Sequence, residues 1–467
     1  MKALVCIVLL FVVELSASGQ SVWQGKRSSW LGAENQKNDI GIYNEEYKKF
    51  LGNVTTELTS TSEAIKILES AGFNEFKDDA QIQSGAKLYF VNRERAIIAA
   101  IIGTKLLTAG SRLIAAHHDS PRIDVKARPL YESSGFALMQ TIYYGGIKKY
   151  QWANIPLMMT GRIDTKDGRR IDVSLGAKPD DPVFVIADVA PHSDAPLRDR
   201  KYTGVFDGEE LDPIVGSIPS EKGVLTETMH HIAALYGISE EDFVSAEISF
   251  VPAIPPRDAG FDRGLIAAYG QDDRLCSFAA LRALADIKSA VELTAIVYLT
   301  DNEETGSVNN TGAQSSFLTN TYATIAEAQT SAKFNENATR RALRNALVVS
   351  ADVNDAINPL FMGLSEPTNA ARLGYGISIK RYGRSFDANS EIIAKIRKML
   401  DDNRIPWQTA SYKVESGGGG TIGGFMSREN MEVIDVGVPI LSMHSTYEIS
   451  SKIDAWNLYR FFGVFFR

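Results

Sequence analysis

The sequence predicts an α/β protein, in which a largely parallel sheet is flanked by helices and interrupted by an inserted, β-rich domain. Two features support this class. First, four short apolar runs lack polar alternation, which is typical of strands covered by helices on both faces. These runs are residues 113–116, 293–299, 346–349 and 438–441. Second, residues 127–250 change in character, with shorter predicted strands and more frequent turns.

The order of the predicted elements defines two domains. Apolar residues at helical spacing predict helices within 45–70 and over 275–288, and residues 87–102 are predicted to form two strands. A proline-containing segment at 251–256 closes the insertion. We therefore expect one domain from residues 20–126 and 257–467, with the inserted domain at 127–256.

Length and composition are those of a large globular protein. The chain has 467 residues, of which 44% are hydrophobic and 23% charged. Its 49 basic and 57 acidic residues give a net charge of −8. No nucleic-acid partner is expected, because proteins that bind nucleic acids normally present a basic face. The two cysteines are too few for a disulfide framework or a four-thiolate zinc site.

Residues 1–19 have the organisation of a secretory signal peptide. A lysine precedes an apolar run at 3–13, and small residues follow at 17–19. The run is too short to span a bilayer, and no membrane partner is expected. A functional signal would send the protein to the secretory pathway or out of the cell. Without one, we expect a cytoplasmic or vacuolar location.

Side chains that commonly bind metals follow the four apolar runs. In chain order these side chains are His117 with Asp119, Glu303 with Glu304, Asp352 and His444, and Asp272 stands before a predicted helix. Active sites of open α/β sheets lie outside the carboxyl ends of the strands. We therefore expect these side chains to converge on one site.

The chemistry of this set is that of a hydrolytic metal centre. Two histidines with three carboxylates suit one or two Zn²⁺, Co²⁺ or Mn²⁺ ions. Two cations about 3.5–4 Å apart need a bridging carboxylate, and a hydroxide held between them can attack the substrate. A carboxylate that does not bind metal must accept the proton of that water. Glu303 and Glu304 can divide these roles, while Asp119 can orient His117.

Seven motifs connect the chain to a known family. They are HHDSPRIDVK (117–126), YGGIKKYQW (144–152), GQDDRLCSFAAL (270–281), DNEETGS (301–307), SAD (350–352), GGGGTIGG (417–424) and MHSTYE (443–448). With these motifs the chain resembles the family of aspartyl aminopeptidase and vacuolar aminopeptidase I, which are dinuclear zinc exopeptidases. The resemblance extends from Ser28 to the end of the chain.

The resemblance implies a zinc-exopeptidase-like catalytic domain and an inserted β-rich domain that serves oligomerisation, with a dodecamer as the assembly. It implies that Asp272 bridges two zinc ions. The other implied metal ligands are His117, Glu304, Asp352 and His444. The implied catalytic residues are Glu303 as general base, Asp119 as the orienting acid, and His192, which enters the active site of a neighbouring subunit.

We therefore predict a zinc metallo-aminopeptidase that removes single N-terminal residues from peptide substrates. Two alternatives stay open, namely a metal-dependent amide deacylase of small N-acyl compounds and an inactive self-assembling scaffold. The preference for a substrate side chain is also open. Lys380 and Arg381 could form a basic pocket for acidic residues, or they could be a solvated basic pair.

Overall fold

The structure is a computed structural model that describes residues 27–77, 81–330, 335–382, 386–415 and 417–467. The predicted signal peptide, 1–19, lies outside the described residues. The helices are α1 (Lys37–Asn53), α2 (Glu57–Ser70), α3 (Val224–Tyr236), α4 (Gln271–Ala285), α5 (Phe317–Thr330), α6 (Glu336–Arg344), α7 (Ser390–Asp402), α8 (Gly423–Arg428) and α9 (Lys452–Phe465). In this described part of the chain, none of the helices combines the length and the apolar character needed to cross a membrane.

The strands belong to three sheets. In chain order they are β1 (Asn74–Glu75), β2 (Lys87–Asn92), β3 (Ala96–Ile101), β4 (Ser111–His117), β5 (Arg122–Ser133), β6 (Phe136–Tyr144), β7 (Leu157–Asp164), β8 (Arg170–Leu175), β9 (Ile214–Gly216), β10 (Ala246–Pro252), β11 (Arg257–Ala259), β12 (Leu265–Ala268), β13 (Thr294–Thr300), β14 (Ala346–Ala351), β15 (Asn354–Asp355), β16 (Ile377–Lys380), β17 (Trp407–Ala410), β18 (Glu432–Gly437), β19 (Pro439–Leu441) and β20 (Glu448–Ser451).

The central sheet has nine strands in the order β1-β2-β3-β13-β4-β14-β18-β16-β17. Its middle strands β13, β4, β14 and β18 run parallel to one another. Strand β3 pairs antiparallel with β13, and β16 pairs antiparallel with β18. Strands β13 and β14 are buried along their whole length, as expected when helices cover both faces. The predicted fold class is confirmed, and three of the four apolar runs are strands of this sheet.

The fourth run, 438–441, forms a strand as predicted, but its expected place in the central sheet is wrong. This run forms β19, which belongs to a separate five-stranded sheet in the order β11-β12-β20-β19-β15. The corresponding strand of the central sheet is the preceding segment, β18. The chain changes sheet after Gly437, where a Cβ atom would collide with the carbonyl oxygen of Asp352. Because apolar character continues from one strand into the next, the sequence pattern does not show this change.

A six-stranded antiparallel sheet is formed by residues between β4 and the start of α4. Its order is β8-β7-β10-β5-β6-β9, and it packs its own buried cluster around Trp152 and Phe250. This sheet overlaps the segment 127–256, although β5 already begins at Arg122. The division of the chain into domains remains a prediction.

Helix α4 is held rigidly against its neighbours, which matters because it carries Asp272 in its first turn. The helix is buried along nearly its whole length. The Phe278 ring lies 5.2–5.4 Å from the rings of Tyr43, Tyr47 and Phe50, measured between centroids. The hydroxyl of Tyr47 also donates to the Gln271 side chain at 3.3 Å. These contacts fix the position from which Asp272 projects.

Candidate metal centre and substrate cavity

Three neighbouring parallel strands bring four of the predicted site residues to one edge of the central sheet. His117 is the last residue of β4, Glu303 and Glu304 follow β13 in a short 3-10 turn, and Asp352 directly follows β14. Because β13, β4 and β14 are adjacent and parallel, their carboxyl ends lie side by side.

The described residues contain two groups of donor atoms that share Asp272. One group is His117, Asp272 and Asp352, and the other is Asp272, Glu304 and His444. Within each group the donor atoms lie within 4.8 Å of one another. Asp272 Oδ1 is 3.3 Å from His117 Nε2, and Asp272 Oδ2 is 3.2 Å from His444 Nε2. The Asp272 carboxylate therefore presents one oxygen to each histidine.

The donor atoms fit a zinc ion chemically. Asp272 Oδ1 and Glu304 Oε1 are buried and accept no hydrogen bond from the residues that the structure describes. A buried carboxylate oxygen without a partner is costly, and a cation would supply the missing interaction. Histidine nitrogens and carboxylate oxygens are ligands that zinc prefers in catalytic sites.

Burial and mutual repulsion shift the pKa values of the acidic groups. Burial raises the pKa of Glu303 to about 7, although the charge of His117 opposes the rise. Burial also raises the pKa of Asp352 to about 6, against the opposing charge of Lys380. The pKa of Glu304 is raised well above its ordinary value, by burial first and by the charge of Asp272 second. So many desolvated carboxylates in one place require compensating positive charge.

Asp119 connects His117 to the turn that carries the two glutamates. His117 Nδ1 lies 3.1 Å from the backbone carbonyl oxygen of Asp119 and 3.3 Å from its Oδ1 atom. The Asp119 carboxylate accepts the backbone N–H groups of Glu303 and Glu304, both at 3.2 Å, and the Tyr144 hydroxyl at 2.7 Å. Burial disfavours the charge, but the hydrogen bond with His117 outweighs it and lowers the pKa of Asp119 to about 2. Asp119 is thus placed to orient the imidazole of His117.

Glu448 is a site residue to which the sequence analysis assigned no role. It is only 1% exposed. Its Oε1 atom accepts the backbone N–H of His444 at 2.7 Å, and its Oε2 atom accepts those of Gln271 and Asp272 at 2.6 and 3.1 Å. Only the motif MHSTYE (443–448) pointed to this segment. Gly146 was missed as well, and its carbonyl oxygen lies 2.8 Å from His444 Nδ1.

Lys380 is partly buried at the site and is not a solvated surface lysine. Its side chain is 14% exposed, and Nζ lies 3.4 Å from Asp352 Oδ2. Nζ also donates to the carbonyl oxygen of Val353 at 2.8 Å. The neighbouring Arg381 pairs with Asp387 at 3.2 Å. Lys380 therefore neutralises a carboxylate of the site itself.

A cavity of about 470 Å³ opens beside the donor atoms. The five donor residues and Glu303 are part of its lining. The remaining lining includes Lys380, Arg381, Tyr412, Lys413 and the glycine backbone at 418–420. The volume lies within the range of small-molecule and cofactor sites.

His192 lies apart from this cavity. It is exposed, in a turn of the segment between β8 and β9, and it does not line the cavity within the described chain. Its implied role requires a second subunit, so the assignment of His192 remains a prediction.

The fold and the site together define a metal-dependent hydrolase. One carboxylate joins two groups of nitrogen and oxygen donors, a further glutamate stands beside them, and a cavity gives access. Residues 50–466 match the model of the family described as aminopeptidase I zinc metalloprotease (M18). The chain belongs to this M18 family and is a zinc metallo-aminopeptidase. The predicted resemblance, enzyme class and activity are confirmed.

Individual relatives agree with this assignment. The "Probable M18 family aminopeptidase 1" of Borrelia garinii subsp. bavariensis is 39% identical over 455 residues, covering 95% of this chain and 99% of the relative. The protein of the same name from Thermotoga maritima is 41% identical over 435 residues, covering 91% of this chain and 95% of the relative. The chain therefore spans nearly the whole length of both relatives.

Solved structures share the fold. The M18 aminopeptidase of Thermotoga maritima superposes with a TM-score of 0.90 at 40% identity, covering 95% of this chain and 99% of that chain. Aminopeptidase I of Borrelia burgdorferi B31 superposes with a TM-score of 0.83 at 35% identity, covering 94% of this chain and 100% of that chain. A structure described as the dodecamer of mApe1 from S. cerevisiae superposes with a TM-score of 0.75 at 22% identity, covering 92% of this chain and 97% of that chain.

Proposed function

We propose that this aminopeptidase acts with two zinc ions, one at each donor group, and that Asp272 bridges them. The observation that carries the proposal is the placement of the Asp272 carboxylate. Its Oδ1 atom faces His117 at 3.3 Å, and its Oδ2 atom faces His444 at 3.2 Å. Asp352 completes the first group and Glu304 the second. Co²⁺ or Mn²⁺ can occupy the same kind of donor set.

Glu303 is the general base of the proposed reaction. When bound, zinc activates a water molecule and polarises the scissile carbonyl group. Glu303 lies outside both donor groups, and its Oε2 atom is 3.9 Å from His117 Nε2. A carboxylate that does not bind metal can take a proton from water and pass it to the leaving amine. Asp119 orients His117 for this step.

A homo-oligomer is part of the proposal, with the dodecamer as the expected form. The support is the description of the S. cerevisiae relative as a dodecamer. The six-stranded sheet also exposes apolar side chains that assembly would cover, among them Ile142 and Tyr143, which are 57% and 49% exposed. Within such an assembly the exposed His192 would enter a neighbouring active site.

Counting zinc in variants tests the two-metal arrangement. After dialysis, elemental analysis of the wild type should find about two zinc ions per chain. Asp352→Asn and Glu304→Gln should each lose about one ion, and Asp272→Ala should lose both, because only Asp272 serves both groups. His231→Ala is the control, since this histidine is exposed and distant in sequence from the donors. One ion in the wild type, or full retention in Asp272→Ala, would contradict the proposal.

A further inference from the structure

Strand β6 of the six-stranded sheet ends at the metal centre, and residues 144–146 contact both halves of that centre. Its last residue, Tyr144, donates its hydroxyl to Asp119 Oδ2 at 2.7 Å. Two residues later, the Gly146 carbonyl oxygen lies 2.8 Å from His444 Nδ1. One short segment therefore supports the partner of one histidine donor and directly contacts the other.

The two glycines after Tyr144 allow this close approach. Gly145 has φ +75°, and a Cβ atom there would lie 3.2 Å from both the Cβ and the Oε2 atoms of Glu304. A Cβ atom on Gly146 would lie 3.4 Å from His444 Nδ1. The segment thus packs against the side chains of the second donor group with little space to spare.

The Tyr144 hydroxyl is a major hydrogen-bond donor to Asp119. The Asp119 side chain is fully buried, so water is not available to replace a lost donor. Without the hydroxyl, Asp119 Oδ2 would keep only the hydrogen bond from the backbone N–H of Glu304, which is longer, at 3.2 Å. The carboxylate could then rotate away from His117 Nδ1. Rotation would leave His117 Nδ1 with only the backbone carbonyl oxygen of Asp119 at 3.1 Å, and it would disturb the turn that carries Glu303.

The ring of Tyr144 is held in place independently of its hydroxyl. The Arg122 guanidinium lies 4.0 Å from the ring centroid, within the range of a cation–π interaction. Arg122 is itself paired with Glu57 at 3.0 Å and with Asp124 at 2.8 Å. A phenylalanine at position 144 would retain these ring contacts. The substitution therefore removes the hydroxyl and little else.

We propose that Tyr144 is a positioning residue of the metal centre, which acts by holding the Asp119 carboxylate toward His117 and the Glu303–Glu304 turn. The inference rests on the proposed roles of His117 and Asp119. It assigns to the six-stranded sheet a direct part in shaping the active site of its own subunit.

Tyr144→Phe tests the inference, with Tyr131→Phe as a matched control. Tyr131 lies in the same sheet and also donates its hydroxyl to a carboxylate, Asp212 Oδ2, at 2.9 Å. Loss of a group that orients a metal ligand typically costs 10–100-fold in metal affinity or activity. We expect Tyr144→Phe to bind zinc about 10-fold more weakly in competition with a chromophoric chelator, and to lower kcat about 10-fold with KM nearly unchanged.

The visible absorption spectrum of the Co²⁺-substituted protein adds a readout that does not depend on turnover. A changed spectrum is expected for Tyr144→Phe and an unchanged one for Tyr131→Phe. Wild-type zinc affinity, kcat and spectrum in Tyr144→Phe, or equal losses in both variants, would overturn the inference alone. A wild type that binds no zinc would contradict the proposed function as well, so the two failures are distinguishable.

Discussion

The backbone N–H of His444 donates a hydrogen bond to Glu448 Oε1 at 2.7 Å. His444 has a left-handed backbone conformation with φ +62°, which costs a non-glycine residue roughly 1–2 kcal/mol. The hydrogen bond to Glu448 offsets this cost. The second oxygen of Glu448 accepts the backbone N–H of Asp272. One buried carboxylate thereby holds the main chain at two proposed zinc ligands.

Replacing Glu448 should therefore weaken zinc binding without removing a ligand. In the wild type, both carboxylate oxygens of Glu448 accept backbone N–H groups. In Glu448→Gln, the NH₂ group would replace one of these oxygens, so that two hydrogen-bond donors would face each other. We expect about 10–100-fold weaker zinc affinity, measured by competition with a chromophoric chelator. Glu432→Gln is the control, because Glu432 pairs with Lys395 at the surface. Unchanged affinity in Glu448→Gln would show that the main-chain contacts do not matter for metal binding.

Zinc affinity should rise with pH. Burial opposes protonation of His444, but the hydrogen bond to Asp272 and the charge of Glu304 prevail and raise its pKa to about 10. Burial likewise opposes protonation of His117, but the adjacent carboxylates of Asp119 and Asp272 prevail and raise its pKa well above the ordinary value. Zinc binds neutral imidazole, so binding must displace about two protons. Calorimetry in buffers of different ionisation enthalpy measures this release.

The raised pKa of His444 makes the metal-free protein less stable as the pH rises, whereas zinc binding becomes stronger over the same change. A pKa raised from 6.5 to about 10 means that the contribution of His444 to folding is fully present below pH 6.5. That contribution is lost as the pH rises through about 10. The Tm of the metal-free protein should fall over this range because of His444, while the increase in Tm caused by zinc should grow. A zinc-induced increase that shrinks with pH would contradict the assigned charge states.

Peptides with a free N-terminus should be the substrates. Carboxylates of Glu303, Asp352 and Asp355 line the cavity, and a positively charged α-amine is favoured beside them. We expect mass spectrometry to show release of one residue at a time from free peptides and none from N-acetylated copies of the same peptides. Chelation should stop the release, and added zinc should restore it. Faster cleavage of the acetyl group itself would favour the deacylase alternative.

Much of the site could be predicted from local sequence. Buried strands are recognisable as apolar runs, and the polar residues after their carboxyl ends must meet when the strands are parallel neighbours. The sequence pattern predicts His117, Glu303 and Asp352 on one sheet edge, where they lie in the structure. His444 also lies near them as expected, although the strand before it belongs to a different sheet.

The supporting contacts could not be predicted in this way. Tyr144 meets Asp119, and Gly146 meets His444, only because the six-stranded sheet packs back onto the edge of the central sheet. Glu448 contacts backbone groups rather than side chains, so no spacing of residue types reveals it. Lys380 was ambiguous as well, since burial decides between a pocket residue and a solvated one.

Turnover by Glu303→Gln with its zinc content measured on the same sample tests the central claim most directly. The substitution removes the proposed proton acceptor but leaves both donor groups intact. Loss of a general base lowers the rate by about 10²–10⁴-fold. We therefore predict a fall in kcat of that size with about two zinc ions retained. Near-normal kcat in a zinc-loaded Glu303→Gln protein would contradict the assignment of Glu303 as the base.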